Sequence, residues 1–507
     1  MKPWPQGDRR MVRIALLPAV TALLALVHSP GYAFAPGARD DQFDGEQHNI
    51  PSAGVRPDRD DTPAASLLEA SGVRGGLVVH LGCGGGERTV ALHAANRYLV
   101  HGLDSDTGQV AEARALIRSR GLYGPVSADT FDGRHLPYVD NLVNLMVASG
   151  EWPLTNDEIV RVLAPNGVAM IRGSLGDRHS SLAAPAPCSL DGWSKLVKRR
   201  PDDIDQWSHY LYNASGNAVS RDRLVGPTRY LKWVAGPRWS RSHEYTPSLA
   251  AMVSTGGKIF SIHDDGVRGV IDQRVGDRWM VHARDAFNGL LLWKRPMSQE
   301  WGSAAWGGTG NWSTPMSIPR RLVASGDRVY VTLGYRSHVT VLDAATGDVI
   351  REFDNTGRTD EMILLDKVLL VRRRKSIPDY SKQAGPWKVQ RRKGQELPPA
   401  SPGDETIVAI NVDNGKTIWQ WQDARMVTLS LAAWDGRVCY HNFQEVVCLD
   451  LESGEPLWRA DCPSWPDLVE TSGTLVMYED MVFYAADRGL HAFSAVNGEL
   501  VWKGPRI

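Results

Sequence analysis

Three glycines at alternate positions, Gly82, Gly84 and Gly86, follow the apolar run LVVHL and precede a stretch with helical spacing. A turn of this kind lets the backbone come close to a ligand, because glycine adopts left-handed conformations without steric cost. The N–H groups that open the following helix favour negative groups. A dinucleotide fingerprint would place its third glycine one position later, where Glu87 stands, so the spacing is Gly-x-Gly-x-Gly. Asp104 ends the next strand-like run, YLVHGLD, eighteen residues after Gly86. An acid there can accept both hydroxyl protons of a ribose. Asp132 begins DGRHLPY, which puts a second acid just ahead of a Leu-Pro pair. Taken alone, the glycines also fit a tight strand-to-helix turn without a ligand.

These residues need a rigid frame, and the sequence supplies one. From 67 to 178 strand-like and helix-like segments alternate: LVVHL, a helix from about Glu87, YLVHGLD, a helical stretch at 107–120, NLVNLMVA, NDEIVRVLA and GVAMIRG. Such alternation predicts a parallel sheet covered by helices, with the glycine turn and Asp104 at strand ends.

The combination resembles the class I S-adenosylmethionine-dependent methyltransferases over about 67–175. The glycine motif matches HLGCGGG, the ribose acid Asp104, and the acid near the adenine amine Asp132. The Pro-Gly-Gly turn of that family appears as Pro165-Asn166-Gly167. The resemblance implies a Rossmann-like fold and S-adenosylmethionine as cofactor, held by His80, Gly82, Cys83, Gly84, Gly86, Asp104 and Asp132. Two positions depart from the pattern. His80 stands where an acid is common, and Asn144 where an Asp is common after the fourth strand. No catalytic residue is assigned, and His93, His101 and His135 read as structural or surface histidines.

The second half has a different grammar. Five segments align on one frame, small-x-Asp-x-x-x-Gly-x-x-x-Trp: ARDAFNGLLLW (283–293), VLDAATGDVIR (341–351), AINVDNGKTIW (409–419), CLDLESGEPLW (448–458) and AFSAVNGELVW (492–502). Gly supplies a positive φ, Asp or Asn bonds the turn backbone, and the Trp packs against a neighbouring unit. Units that cannot bury both faces alone stack around an axis. This half resembles the pyrroloquinoline-quinone-like β-propeller repeats of quinoprotein dehydrogenases and of the outer-membrane assembly lipoprotein. About five blades are countable where eight are common, and truncation is the favoured explanation. Trp293, Trp419, Trp458 and Trp502 are expected in equivalent buried places. The repeat is a packing device, and no vicinal Cys pair exists, so bound pyrroloquinoline quinone is not expected.

Composition bounds the rest. The 507 residues carry 57 Lys+Arg against 58 Asp+Glu, so no global field draws the chain to nucleic acid. Arg9, Arg10 and Arg13, the apolar 14–27 and Ala33-Phe34-Ala35 predict a signal peptide over 1–35, a mature end near Pro36 and a periplasmic or secreted protein. A retained anchor is the other reading of that run. No later segment is expected to cross a membrane. Five Cys are too few for a disulfide framework. Cys439 and Cys448 face each other at a bridgeable distance if Asn442–Glu445 is a turn, and the reading as small core residues is favoured over a disulfide. Asp202, Asp203, Asp205 and His209 fit no calcium loop, so no metal is expected. Their segment reads as a lead-in that packs on the propeller. Arg372, Arg373, Arg374 and Lys375 open a basic insertion at 372–404, with Lys382, Lys388, Arg391, Arg392 and Lys393, read as a solvated loop rather than a polyanion site. Trp301, Trp306 and Trp312 lie in a Gly-rich loop that covers an end of the propeller or stacks on a sugar or peptide.

The expected organisation is therefore a signal peptide at 1–35, a linker at 36–66, a methyltransferase-like domain at 67–178, a connecting segment at 179–227 and a propeller at 228–507. Two functions stay open. One is methyl transfer to an unknown acceptor presented by the propeller. The other is a catalytically lost fold in a periplasmic scaffold that holds a protein or glycan on its propeller face. A quinoprotein oxidoreductase is a distant third.

Overall fold

The central strand of the N-terminal half, β1 (Gly76–Leu81), is buried at every residue. That is what the unbroken run GLVVHL requires of a parallel strand covered on both faces. Parallel to it run β2 (Tyr98–Asp104) and β4 (Val143–Ala148) as its direct neighbours, with β3 (Val126–Thr130) beside β2 and β5 (Leu163–Arg172) beside β4. Helices α1 (Ala64–Ser71), α2 (Glu87–Leu92), α3 (Thr107–Ser119) and α4 (Asn156–Val162) complete the alternation. Asp106 caps α3 through Gly108 and Gln109, and Thr155 caps α4 through Glu158. These coordinates are a computed structural model that describes residues 61–150, 152–172, 182–228, 230–236, 240, 247–266, 276–298, 301, 317–375, 403–464, 473–486 and 489–505. The predicted signal peptide, Trp306, Trp312 and Lys382 to Lys393 of the insertion lie outside the described residues.

The sheet is larger than the sequence suggests. Strands β6 (Ala183–Ala186) and β7 (Trp193–Lys198) join it, in the order β3-β2-β1-β4-β5-β7-β6, with β7 antiparallel to both of its neighbours. The first domain therefore runs to Lys198, and the connecting segment begins later than 179. Trp193 and Leu196 bury on opposite faces of the sheet, but the short AAPA and the alternating WSKLVK carry no glycine signal. At the other end α1 begins at Ala64, inside the stretch read as linker, and buries Leu67 and Leu68.

The C-terminal half forms five four-stranded antiparallel sheets among the described residues. Blade one comprises β8 (Leu249–Thr255), β9 (Lys258–Asp264), β10 (Trp279–Asp285) and β11 (Leu291–Pro296). The other blades begin at Leu322–Ser325, Thr359–Leu365, Ala432–Trp434 and Gly473–Tyr478, and the last ends with Leu500–Gly504. The repeat frame has a direct physical cause. The small residue sits opposite the Trp in the outer strand pair, as Ala283 opposite Trp293, Ala409 opposite Trp419, Cys448 opposite Trp458 and Ala492 opposite Trp502. Where Arg351 replaces Trp, Val341 replaces the small residue. In four copies the Asp or Asn accepts from the second and third N–H beyond it, as Asp450 does from Glu452 and Ser453.

Each Trp then reaches the next blade. Trp293, Trp419 and Trp458 donate from Nε1 to the carbonyls of Ala344, Leu451 and Ala495 at 3.1, 2.9 and 2.9 Å. A Cβ on Gly347, Gly454 or Gly498 would lie 2.7, 2.5 or 2.6 Å from those rings, so the turn glycine also makes room for the indole. Trp502 differs. It is 50% exposed, and the expectation of a fourth buried Trp fails there. An additional member appears instead at Trp233, which donates to Ala286 at 3.0 Å and would meet a Cβ on Gly289 at 2.4 Å. Its segment, YLKWVAG, lacks the Asp and Gly of the frame and so escaped the repeat.

The lead-in segment ties the blades together. Ser254, Ala324, Ala433 and Met477, on the first strands of blades one, two, four and five, donate their N–H groups to the carbonyls of Trp207, Ser208, Ala214 and Ser215. On the first strand of blade three, Leu364 donates to Nε2 of His209 at 2.9 Å. Nine residues thus bond all five blades. Asp205 accepts from Gln206, Ser220 and Arg221 and acts as a loop staple. The basic insertion needs correcting at its start. Arg372 and Arg374 are buried, and they pair with Asp360, Glu361 and Glu405. Cys439 and Cys448 are direct cross-strand partners and buried free thiols, and Asn442 donates to Glu445 across the turn.

Candidate functional site

The glycine loop runs from the end of β1 to the start of α2. Gly82, Gly84 and Gly86 all have positive φ, at 77, 49 and 92°. Their reasons differ. A Cβ on Gly82 would lie 3.0 Å from the Ser149 carbonyl and 3.3 Å from the Trp152 ring, so Gly82 borders the crevice between the ends of β1 and β4. A Cβ on Gly86 would lie 2.9 Å from Ala113, so this glycine lets α3 approach. A Cβ on Gly84 would meet only Gln109 Oε1, at 3.5 Å, which leaves this position the open part of the loop. The strand order reverses between β1 and β4, and such a switch point is where open α/β sheets leave a crevice for ligands.

Asp104 ends β2 beside this loop. Its Oδ2 accepts from Gly84 N at 3.0 Å and its Oδ1 from Asp106 N at 3.1 Å. Each carboxylate oxygen keeps a further lone pair, so the group can order the loop and still accept hydroxyl protons. Asp132 lies beyond β3. Its Oδ1 accepts from the N–H groups of Arg134 and His135, at 2.7 Å each, and its Oδ2 meets His135 Nδ1 at 3.0 Å. Those bonds, His135 N–H first, hold its carboxyl down to about 2, so Asp132 is a fixed anion at the surface.

Two predicted contacts belong beneath the loop. His80 is 2% exposed, and its Nδ1 meets Thr89 Oγ1 at 2.9 Å. Burial, helped by Arg88, lowers its pKa to about 3. It is a neutral imidazole wedged against α2 and supports the turn from below. The Cys83 side chain is buried against Gly102, and burial pushes its thiol up to about 12. Only the backbone of Cys83 can face a ligand. The other histidines are structural. His93 Nδ1 meets the Tyr98 carbonyl at 2.7 Å, and His101 joins Tyr138 and Asp129.

Asn144 has a role the sequence did not suggest. It is the second residue of β4, at the opposite edge of the sheet from the crevice. Its Oδ1 accepts from Leu77 N at 2.8 Å and from Asn288 Nδ2 at 2.7 Å, while its Nδ2 donates to Asp285 at 2.7 Å. Asp285 is the turn Asp of the first blade. Arg74 pairs with Asp343, the turn Asp of the second, at 2.7 Å. Blades one and two therefore dock where the strands begin, and the glycine loop lies where they end. The six residues of β1 put about 20 Å between the two edges. Sequence reading also missed Ser149, Trp152 and Phe131 around the crevice. The Trp152 and Phe131 rings lie 5.1 Å apart, and Trp152 Nε1 donates to the Ser149 carbonyl at 2.9 Å. The only local signal was an aromatic residue just after β4.

Two family models match separate stretches of the chain. The family model described as a methyltransferase domain matches residues 78–167. That described as the outer membrane protein assembly factor BamB matches 403–506. Methyltransferase GfsG of Streptomyces halstedii is 32% identical over 114 residues, which are 20% of this chain and 41% of that protein. The chain thus spans about two fifths of that relative's length. Among solved structures, a putative S-adenosylmethionine-dependent methyltransferase from Methanococcus maripaludis is 17% identical with a TM-score of 0.24, over 27% of this chain and 84% of its own. BamB from Moraxella catarrhalis is 14% identical with a TM-score of 0.28, over 50% and 74%. The N-terminal region is methyltransferase-like, and the four-stranded sheets that follow it are consistent with a BamB-like propeller. No helix among the described residues is long and apolar enough to cross a membrane.

Proposed function

We propose that the N-terminal domain binds S-adenosylmethionine at the ends of β1 and β2 and methylates an acceptor, in a protein that works after export. The cofactor supplies an activated methyl group, and the domain's task is to align an acceptor nucleophile with it. In this reading Asp104 holds the ribose, Gly82 and Gly84 let the backbone approach the amino-acid end, and Asp132 receives the adenine amine. The observation that carries it is the pairing of Asp104 with the open part of the glycine loop, beside a crevice bordered by Gly82, Ser149 and Trp152. Because the propeller docks on the far edge, the acceptor enters from solvent. The propeller then serves as a scaffold, with a protein or glycan as its partner.

Isothermal titration with S-adenosylmethionine tests this. Asp104→Ala removes a charged hydrogen-bond acceptor worth about 1.5–3 kcal/mol, so affinity falls about ten- to a hundredfold. Asp104→Asn keeps one oxygen for Gly84 N and falls less. Gly84→Val abolishes binding. Asp129→Ala is the control, since Asp129 pairs with Arg114 and His101. Wild-type protein that binds nothing at millimolar cofactor overturns the proposal and leaves the second reading, a methyltransferase fold that has lost catalysis. The buried neutral His80, where an acid is common, favours that second reading.

A further inference from the structure

The first blade places three donor groups around one point. His263 on β9 and His282 on β10 lie diagonally across the strand pair, since Met280 faces His263 and Ser261 faces His282. Both side chains leave the sheet on the face away from Phe260, Ile262, Val281 and Ala283, which pack toward blade two. Asp265, just past β9, sends Oδ1 between them, 3.5 Å from His263 Nδ1 and 3.3 Å from His282 Nε2. The three ligand atoms all lie within 4.8 Å of one another. A tetrahedral ion with bonds of about 2.0–2.2 Å separates its ligand atoms by about 3.3–3.5 Å, so two edges already fit.

We propose that His263, Asp265 and His282 form a binding site for a divalent transition-metal ion of the Zn²⁺ class. Two imidazole nitrogens and one carboxylate oxygen are the donor set such ions prefer, whereas Mg²⁺ and Ca²⁺ take oxygen throughout. The site is built. Asp265 N donates to the Arg278 carbonyl at 2.9 Å, and Asp264 Oδ1 accepts from Gly266 N and Arg278 N at 2.8 and 2.7 Å, which pins the turn that carries Asp265. Lys294 Nζ holds the other carboxylate oxygen at 2.6 Å and leaves Oδ1 to the ion, as an outer partner orients a ligand. Apart from Asp265, His282 Nε2 meets no hydrogen-bond partner among the described residues. A cavity lined by Asp265, His282, Arg278, Arg284 and Lys294 adjoins the site, so water supplies the fourth donor. None of this was legible in the sequence, where eighteen residues lie between the two histidines.

The test is titration of the full chain with Co²⁺, read by its visible d–d bands, and with Zn²⁺ against a chromophoric chelator. The expected result is one equivalent bound, with the Co²⁺ intensity typical of four- or five-coordinate nitrogen and oxygen ligation. His282→Asn and Asp265→Asn should each weaken binding at least about a hundredfold, and His93→Ala should leave it unchanged. Near-ultraviolet circular dichroism of the metal-free variants must match wild type, and the near-isosteric Asp265→Asn covers the case in which His282→Asn does not fold. Absence of a stoichiometric site in wild type, or equal binding by folded Asp265→Asn, overturns the proposal.

Discussion

Acid should unfold this protein by way of histidines before its carboxylates titrate. Burial lowers His80 in the methyltransferase domain and His209 in the lead-in segment to about 3 each, with Arg88 and Arg320 adding to the effect. In the unfolded chain each returns to about 6.5. The unfolded state therefore binds the extra protons as the pH falls below that value, and stability is lost progressively from there down to the folded pKa. Each buried imidazole contributes about 1.4 kcal/mol per pH unit, or about 3 kcal/mol by roughly pH 4.5. His80 and His209 lie in different halves, so each half should weaken separately. Native-state hydrogen exchange with mass spectrometry, from about pH 7 to about pH 4.5, reads the β1 peptides for His80 and the 359–365 peptides for His209. His80→Asn keeps a polar partner for Thr89 and cannot titrate, so it should flatten the slope in β1 and leave that at 359–365 unchanged. Carboxyls held low, such as Asp132, act only nearer their own pKa. Protection in β1 that is flat over this range, or equally steep in His80→Asn, would refute the buried neutral imidazole.

Two further predictions concern packing. Trp458→Ala should cost about 3–5 kcal/mol in urea titrations, because the ring is buried on Gly498 and its removal strands the Ala495 carbonyl. Trp502→Ala should cost under about 1 kcal/mol, and equal losses would show that Trp502 is buried in solution. Asn144→Ala leaves Leu77 N and Asp285 without their partner, so the contact between the halves should weaken by about 3 kcal/mol. Asn144→Asp should do worse, since it sets a second carboxylate against Asp285, and scanning calorimetry should then resolve two transitions. A single unchanged transition in both variants would place the contact between the halves elsewhere.

What the sequence determined was local. Gly82, Gly84, Gly86 and Asp104 lie within one strand-turn-helix-strand unit, where positive φ and strand ends follow from short-range sterics. The blade frame was legible for the same reason. Its Asp, Gly and final Trp or Arg lie within one hairpin of the chain, and five copies repeat the frame. The pairing of Cys439 with Cys448 followed from turn length alone. What only the tertiary structure decided depends on groups that meet across the chain. His80 stands at a cofactor position in sequence, yet it faces Thr89 beneath the loop. Asn144 looks like a weakened site residue, yet it joins β4 to the turn of Asp285. Trp502 matches the repeat, but a Trp is buried only by the blade that follows it, and that neighbour is not part of its own hairpin. Arg372 and Arg374 read as a solvated basic run, yet Asp360, Glu361 and Glu405 gather around them, because alternate residues of a strand face one side and burial of a charge depends on its partners. His263, Asp265 and His282 come together only when β9 pairs with β10 in a register that no residue of the triad specifies by itself.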